Sequence, residues 1–168
     1  MIRIPLQAAS CTLLTVLALT GCRYGFTGGA LPSDVKTVAV IPFENETTSS
    51  ELPLELAEAL REGLERRLGL RVATEDKADV VLRGKIRRYD ADVPATVSAD
   101  RQRSTVARRR LTIGLDIQLV NQRTGAILWQ KAGMSADGEY GEGAEASGRK
   151  QAVERIVADV VEGAQSQW

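Results

Sequence analysis

The sequence has no histidine, only two cysteines and few aromatic residues, and its 22 basic side chains are cancelled by 22 acidic ones. Without histidine the commonest general base and the commonest metal ligand are both missing. Most hydrolase and metal-site schemes therefore fall away. A formal charge of zero supplies no overall field to draw in nucleic acid. What remains is ordinary: 168 residues, 43% hydrophobic and 26% charged, enough for one domain with a real core and too polar for several membrane spans.

The N-terminus reads as an export signal. Arg3 supplies a positive charge and an apolar run follows, densest over Thr12–Leu19, shorter than the ~20 apolar residues of a spanning helix. The run ends in Leu19-Thr20-Gly21-Cys22, which resembles the lipobox of bacterial lipoproteins. A thiol at that place can carry a diacylglyceryl thioether, and small residues before it admit a peptidase. The alternative is a plain secretory signal with an incidental cysteine. Cys11 leaves with residues 1–21, so Cys22 is the one remaining thiol, which excludes an intramolecular disulfide and a cysteine metal site. Two or more acyl chains, palmitate among them, would anchor the protein stably. Arg23 is not the aspartate that retains many lipoproteins at the inner membrane, which points to the outer one. The expected organisation is a signal peptide over 1–21, a lipidated Cys22 with a glycine-rich tether over 22–34, and a single domain over 35–168.

Within the domain, Val35–Ile41 is β-branched and apolar, a central strand stopped by Pro42. Glu44–Ser50 reads as a polar loop; its Asn45-Glu46-Thr47 matches a glycosylation pattern by chance. Ser49 or Ser50 is expected to cap a helix over about 53–68, whose Leu56, Leu60, Leu64 and Leu68 form one stripe and which Gly69 ends. Arg71–Thr74 is a short strand. In the next strand Val80, Leu82, Gly84 and Ile86 share one face and Val81, Arg83, Lys85 and Arg87 the other. Leu111, Ile113, Leu115, Ile117 and Leu119 alternate in the same way with Arg108, Arg110, Thr112, Gly114, Asp116 and Gln118. The segment Asp90–Thr105, with Arg101 and Arg103, is either a long hairpin end or a continuation of both strands. Asn121–Gly125 is a turn signal, a strand follows from Ala126 to about Ser135, Asp137–Glu145 reads as a loop, and a helix over about 146–164 carries Val153, Ile156, Val157, Val160 and Val161. Trp129 is expected in the core and Trp168 at an exposed terminus. The order β-α-β-β-β-β-α predicts an α+β two-layer sandwich, a mixed four- to five-stranded sheet with two helices packed on one face.

Cys22-Arg23-Tyr24-Gly25-Phe26, Leu31-Pro32, Val38 to Thr47, the helix from Leu56 to Leu70, Ala78 to Ile86 and Thr124 to Trp129 together resemble the LptE-like lipopolysaccharide-assembly lipoproteins across nearly all of residues 22–168. The resemblance implies a non-enzymatic outer-membrane lipoprotein with no cofactor, lodged as a plug in an LptD-type β-barrel and binding lipopolysaccharide. A secretion-channel or scaffold subunit of similar fold is the alternative. No catalytic or metal-ligating residue stands out.

The arginine load is the one feature with binding chemistry. Matching apolar faces permits a register with Gly84 opposite Leu111 and Leu82 opposite Ile113, which sets Arg87 against Arg108 and Lys85 against Arg110. Like charges so placed are destabilising, and an anionic partner such as a lipid A phosphate would relieve them. Arg83, Lys85, Arg87, Arg108 and Arg110 are thus the candidate lipopolysaccharide- or partner-binding residues, with contact to acids of the barrel and plain solvation as the competing readings. The run Gly138–Gly143 mimics a phosphate loop only superficially, since its acids would repel phosphate.

Overall fold

The computed structural model describes residues 31–32, 34–94 and 108–166. Residues 1–21, expected to be a signal peptide, and Cys22, Arg101, Arg103 and Trp168 lie outside the described residues.

Strand β1 (Thr37–Val40) is followed by a two-residue β2 (Glu44–Asn45), helix α1 (Leu52–Leu68), β3 (Arg71–Val72), a 3-10 turn at Glu75–Lys77, β4 (Val80–Pro94), β5 (Arg109–Asn121), β6 (Ile127–Tyr140) and helix α2 (Glu145–Ser166). The sheet order is β3-β1-β4-β5-β6, with β2 beside β4 in line with β1. β1 runs parallel to β3 and β4, β2 runs parallel to β4, and β4, β5 and β6 form an antiparallel meander. The expected α+β architecture is therefore what the chain adopts, with a sixth short strand where a polar loop was expected.

Both helices lie on one face because their apolar stripes meet the inward residues of every long strand. Leu52, Leu56, Leu60 and Leu64 of α1 and Val153, Ile156, Val160 and Val161 of α2 close over Val38, Val80, Leu82, Ile86, Leu111, Ile113, Leu115 and Leu119. Full burial of each such side chain stabilises by about 1.5–3 kcal/mol. Trp129 is buried in this core as expected. The helices run parallel: Arg149 near the start of α2 meets Glu51 and Glu55, and Val157 packs where a Cβ on Gly63 would lie 2.3 Å from its Cγ1.

Helix α1 starts without a serine cap. Glu51 occupies the capping position and makes no side-chain bond to the helix; its carboxylate instead accepts from Arg149 at 2.9 Å. Acids in the first turn still suit the positive end of the helix dipole. Gly69 ends α1 in the left-handed region at φ 68°, its N–H bonding the Glu65 carbonyl. Asn121, buried, accepts the N–H groups of Arg123 and Thr124 at its Oδ1 and forms the expected turn, with Gly125 at φ 70°.

Two further expectations are corrected. The β4–β5 register is six residues away from the one above: Gly84 faces Ile117, Leu82 faces Leu119 and Lys85 faces Asp116. Any even shift keeps the apolar residues on one face. The choice among such shifts falls to contacts at the strand ends, such as Gln122 N–H to the Asp79 carbonyl at 2.9 Å. Secondly, Asp137–Tyr140 is strand rather than loop. Gly138 is needed for close approach, since a Cβ there would lie 1.8 Å from the Gly148 carbonyl oxygen where α2 crosses. Of the two readings of Asp90–Thr105, the described part follows the second, continuing β4 as far as Pro94.

Candidate functional site

The face of the sheet turned away from the helices carries the other half of each strand's alternation. Read across the strands, it is ordered in rows. Nearest the end where the chain enters, Ala39, Val81, Val120 and Ile127 lie in register on β1, β4, β5 and β6. Ala39 and Val81 are buried with Ala78 against Ile41 and Ala73 in a small second cluster, while Ile127 is 50% exposed. The next row is Arg83, Gln118 and Gln130, and beyond it Lys85 faces Asp116.

Around Lys85 the charges interlock. Its Nζ lies 2.7 Å from Glu46 and 3.4 Å from Glu44. Arg87 bonds Glu46 at 3.0 Å and Asp116 at 2.9 Å. Asp116 also accepts the Gly133 N–H at 2.8 Å, an amide freed by a bulge where Gly133 takes φ 63°. The Lys85 and Arg87 bonds hold the Glu46 carboxyl below its ordinary value, and the Gly133 amide, then Arg87, does the same for Asp116. Lys85 and Arg87 are pushed up in return, chiefly by Glu46 and Asp116 respectively.

This lattice overturns the like-charge argument. Arg87 does not oppose Arg108, nor Lys85 Arg110; each is matched by acids of the chain itself. Arg110 faces Val93 on β4 and Glu139 on β6, and Arg108 pairs with Glu139 at 3.5 Å. The five candidate residues thus fall into two groups, Arg83, Lys85 and Arg87 at mid-sheet and Arg108 and Arg110 at the start of β5, where Arg110 lies six residues, roughly 20 Å, from the Asp116 that faces Lys85. Among the described residues Arg83 and Arg110 have no ion-pair partner.

Sequence reasoning missed Glu44, Glu46, Gln118 and Gln130. The signal for Gln118 was present, since it stands in the outward set of its strand; Glu44 and, just past its strand, Glu46 were hidden because two residues of strand cannot show a period. The rows border a shallow depression of about 460 Å³ lined by Arg83, Lys85, Asp116, Gln118 and Gln130 among others. Among the described residues no three His, Cys, Asp or Glu are placed to hold a metal ion, and no helix is long and apolar enough to cross a membrane.

At the far end Arg149 clasps the two helices, bonding Glu55 at 2.6 Å and Glu51 at 2.9 Å, while the Tyr89 hydroxyl of β4 donates to Glu145 at 2.5 Å. Burial raises the Tyr89 hydroxyl above its ordinary value, and Tyr89 and Glu55 raise Arg149. This cluster is a structural tie between sheet and helices.

No curated protein sequence matches the chain. Its fold is similar to that of PelC from Paraburkholderia phytofirmans, solved as a dodecamer, at 18% identity and TM-score 0.54, covering 83% of this chain and 94% of that one. It is similar too to protein XCC0632 from Xanthomonas campestris, at 12% identity and TM-score 0.58, covering 82% and 90%. Residues 35–163, which hold α1, most of α2, the meander and the open sheet face, match the family described as LptE, Lipopolysaccharide-assembly, and the chain belongs to that family.

Proposed function

We propose that this protein is an outer-membrane lipoprotein, cleaved before Cys22 and lipidated there, that assists insertion of lipopolysaccharide as the partner of an LptD-type β-barrel. The observation that carries the reading is family membership over residues 35–163, joined to a sheet face left open while its other face is fully used by the helices. It acts by binding, with no catalytic residue assigned. Arg83, Lys85, Arg87, Arg108 and Arg110 remain the proposed contacts, with a division of labour: Arg83 and Arg110 are the cations free to meet a new anion, while Lys85, Arg87 and Arg108 are already paired with acids of the chain and border the contact.

Co-purification from native membranes tests the reading: a large β-barrel should accompany the wild-type chain, and its absence would overturn the partnership. Cys22→Ala should leave an uncleaved or soluble form, read by fractionation and mass spectrometry of the mature N-terminus. A second reading, a subunit of a secretion channel or envelope scaffold, draws on the fold likeness to the dodecameric PelC. A native mass equal to many copies without a barrel would favour it.

A further inference from the structure

We infer that the helix-free sheet face seats one glycolipid molecule lengthwise, its apolar part over Val120 and the half-exposed Ile127, beside the small cluster that covers Ala39 and Val81, and its hydroxyl-rich anionic headgroup over Arg83, Gln118 and Gln130. The inference rests on the lipopolysaccharide reading above and assigns that ligand a place and an orientation. Three observations carry it. The first is the order of the rows: apolar, then neutral and cationic donors, then a closed charge lattice, each about 7 Å from the next along the strands. An amphiphile has the same order.

The second is direction. The apolar row lies at the chain-entry end, where Arg123 of the β5–β6 turn pairs with Asp34, a dozen residues after Cys22. The proposed anchor at Cys22 joins the domain at that end, so an acyl chain entering there meets Ile127 before a headgroup meets Gln118.

The third is chemistry. Arg83, Gln118 and Gln130 stand side by side on three strands, about 10 Å across, and within the described residues none makes an ion pair or side-chain hydrogen bond. Two amides and a guanidinium present donors and acceptors suited to hydroxyl groups and one forked site for a phosphate. The lattice beyond has three carboxylates, Glu44, Glu46 and Asp116, against Lys85 and Arg87. It repels further anionic charge and so stops the headgroup at the Arg83 row.

The test uses the full-length chain in cells that make lipopolysaccharide, with a photo-crosslinking residue at Gln118 or Gln130, or at Glu58 on the helix layer as control. Lipopolysaccharide adducts at 118 and 130 and not at 58 are the expected result. In titrations of the purified chain, Arg83→Gln combined with Gln118→Ala should weaken lipopolysaccharide binding about tenfold, the loss of one charge-assisted bond. Ile127→Asn should weaken intact lipopolysaccharide and leave its delipidated oligosaccharide unaffected. Lipopolysaccharide that binds but crosslinks equally at 58, or is indifferent to these variants, overturns the seat and leaves the lipopolysaccharide reading standing. A wild-type chain that binds none overturns both. Equal binding to phosphatidylglycerol vesicles would overturn the headgroup assignment. Circular dichroism of each variant confirms that these exposed positions leave the fold intact.

Discussion

The two faces of the β4–β6 meander are made by alternate residues of the same strands and are held in opposite ways. On one face Leu82, Ile86, Leu111, Ile113, Leu115 and Leu119 are almost wholly buried under α1 and α2. On the other, Lys85, Arg87 and Asp116 keep 31%, 51% and 36% of their side chains exposed and are joined by ion pairs. Area removed from water stabilises strongly and without direction. Exposed ion pairs contribute little, because water screens them and long side chains lose freedom to form them. The difference teaches where change is tolerated: the helix-facing side carries the fold, and the open side is left for chemistry.

The contrast can be broken most forcefully on the buried side. Leu60→Asp or Val157→Asp places an unpaired carboxylate against the sheet and should cost at least about 4 kcal/mol, seen as loss of cooperative melting by circular dichroism. Unchanged melting in either would show that the helices do not hold the sheet through these faces.

Close approach gives the next effect. In Gly138→Ala the new methyl would meet the Gly148 carbonyl, and in Gly84→Ala it would meet the Asp116 carbonyl at 2.4 Å and Phe43 at 2.6 Å. Each should lower stability by about 1–3 kcal/mol in urea denaturation. Gly69→Ala, at an αL position with open space, should cost about 1 kcal/mol through backbone strain alone.

The Arg149 clasp lies between the two regimes, its side chain 17% exposed. Arg149→Ala should cost about 1.5–3 kcal/mol as its charged hydrogen bonds to Glu55 and Glu51 are lost, and hydrogen exchange should rise first at the start of α2.

The open face should give the smallest effect at neutral pH and a visible one in acid. Glu46, Asp79 and Asp116 are held below their ordinary values of 4.5, 3.8 and 3.8. Depressed carboxyls stabilise the folded state fully above those values and lose that contribution as the pH falls through and below them. Glu46→Gln with Asp116→Asn should therefore leave the denaturation midpoint near pH 7 almost unmoved and flatten its fall below about pH 4.5. An unchanged acid slope would mean that the lattice does not couple to folding.

Much of the fold was legible because it depends on local periodicity. The leucine stripe of α1, the valine and isoleucine stripe of α2, the alternation in β4 and β5 and the turn at Asn121–Gly125 each follow from spacing within one segment. The candidate site was legible only in part. Arg83, Lys85 and Arg87 were assigned to the correct face, but the partners that neutralise two of them sit on and just after a two-residue strand forty residues earlier and on β5 in a register that no local pattern selects.

The sequence by itself thus determined which residues face inward, because side chains alternate along a strand whatever its neighbour is. Only the tertiary structure decided how far β5 slides along β4, since a period of two leaves every even shift equal to the pattern. With that slide went the charge pairing: a six-residue change set Lys85 against Asp116 instead of Arg110 and turned an expected repulsion into a lattice of opposite charges. It decided too that Gly138 serves a helix crossing rather than a loop, because the need for a missing side chain arises only where a second backbone arrives.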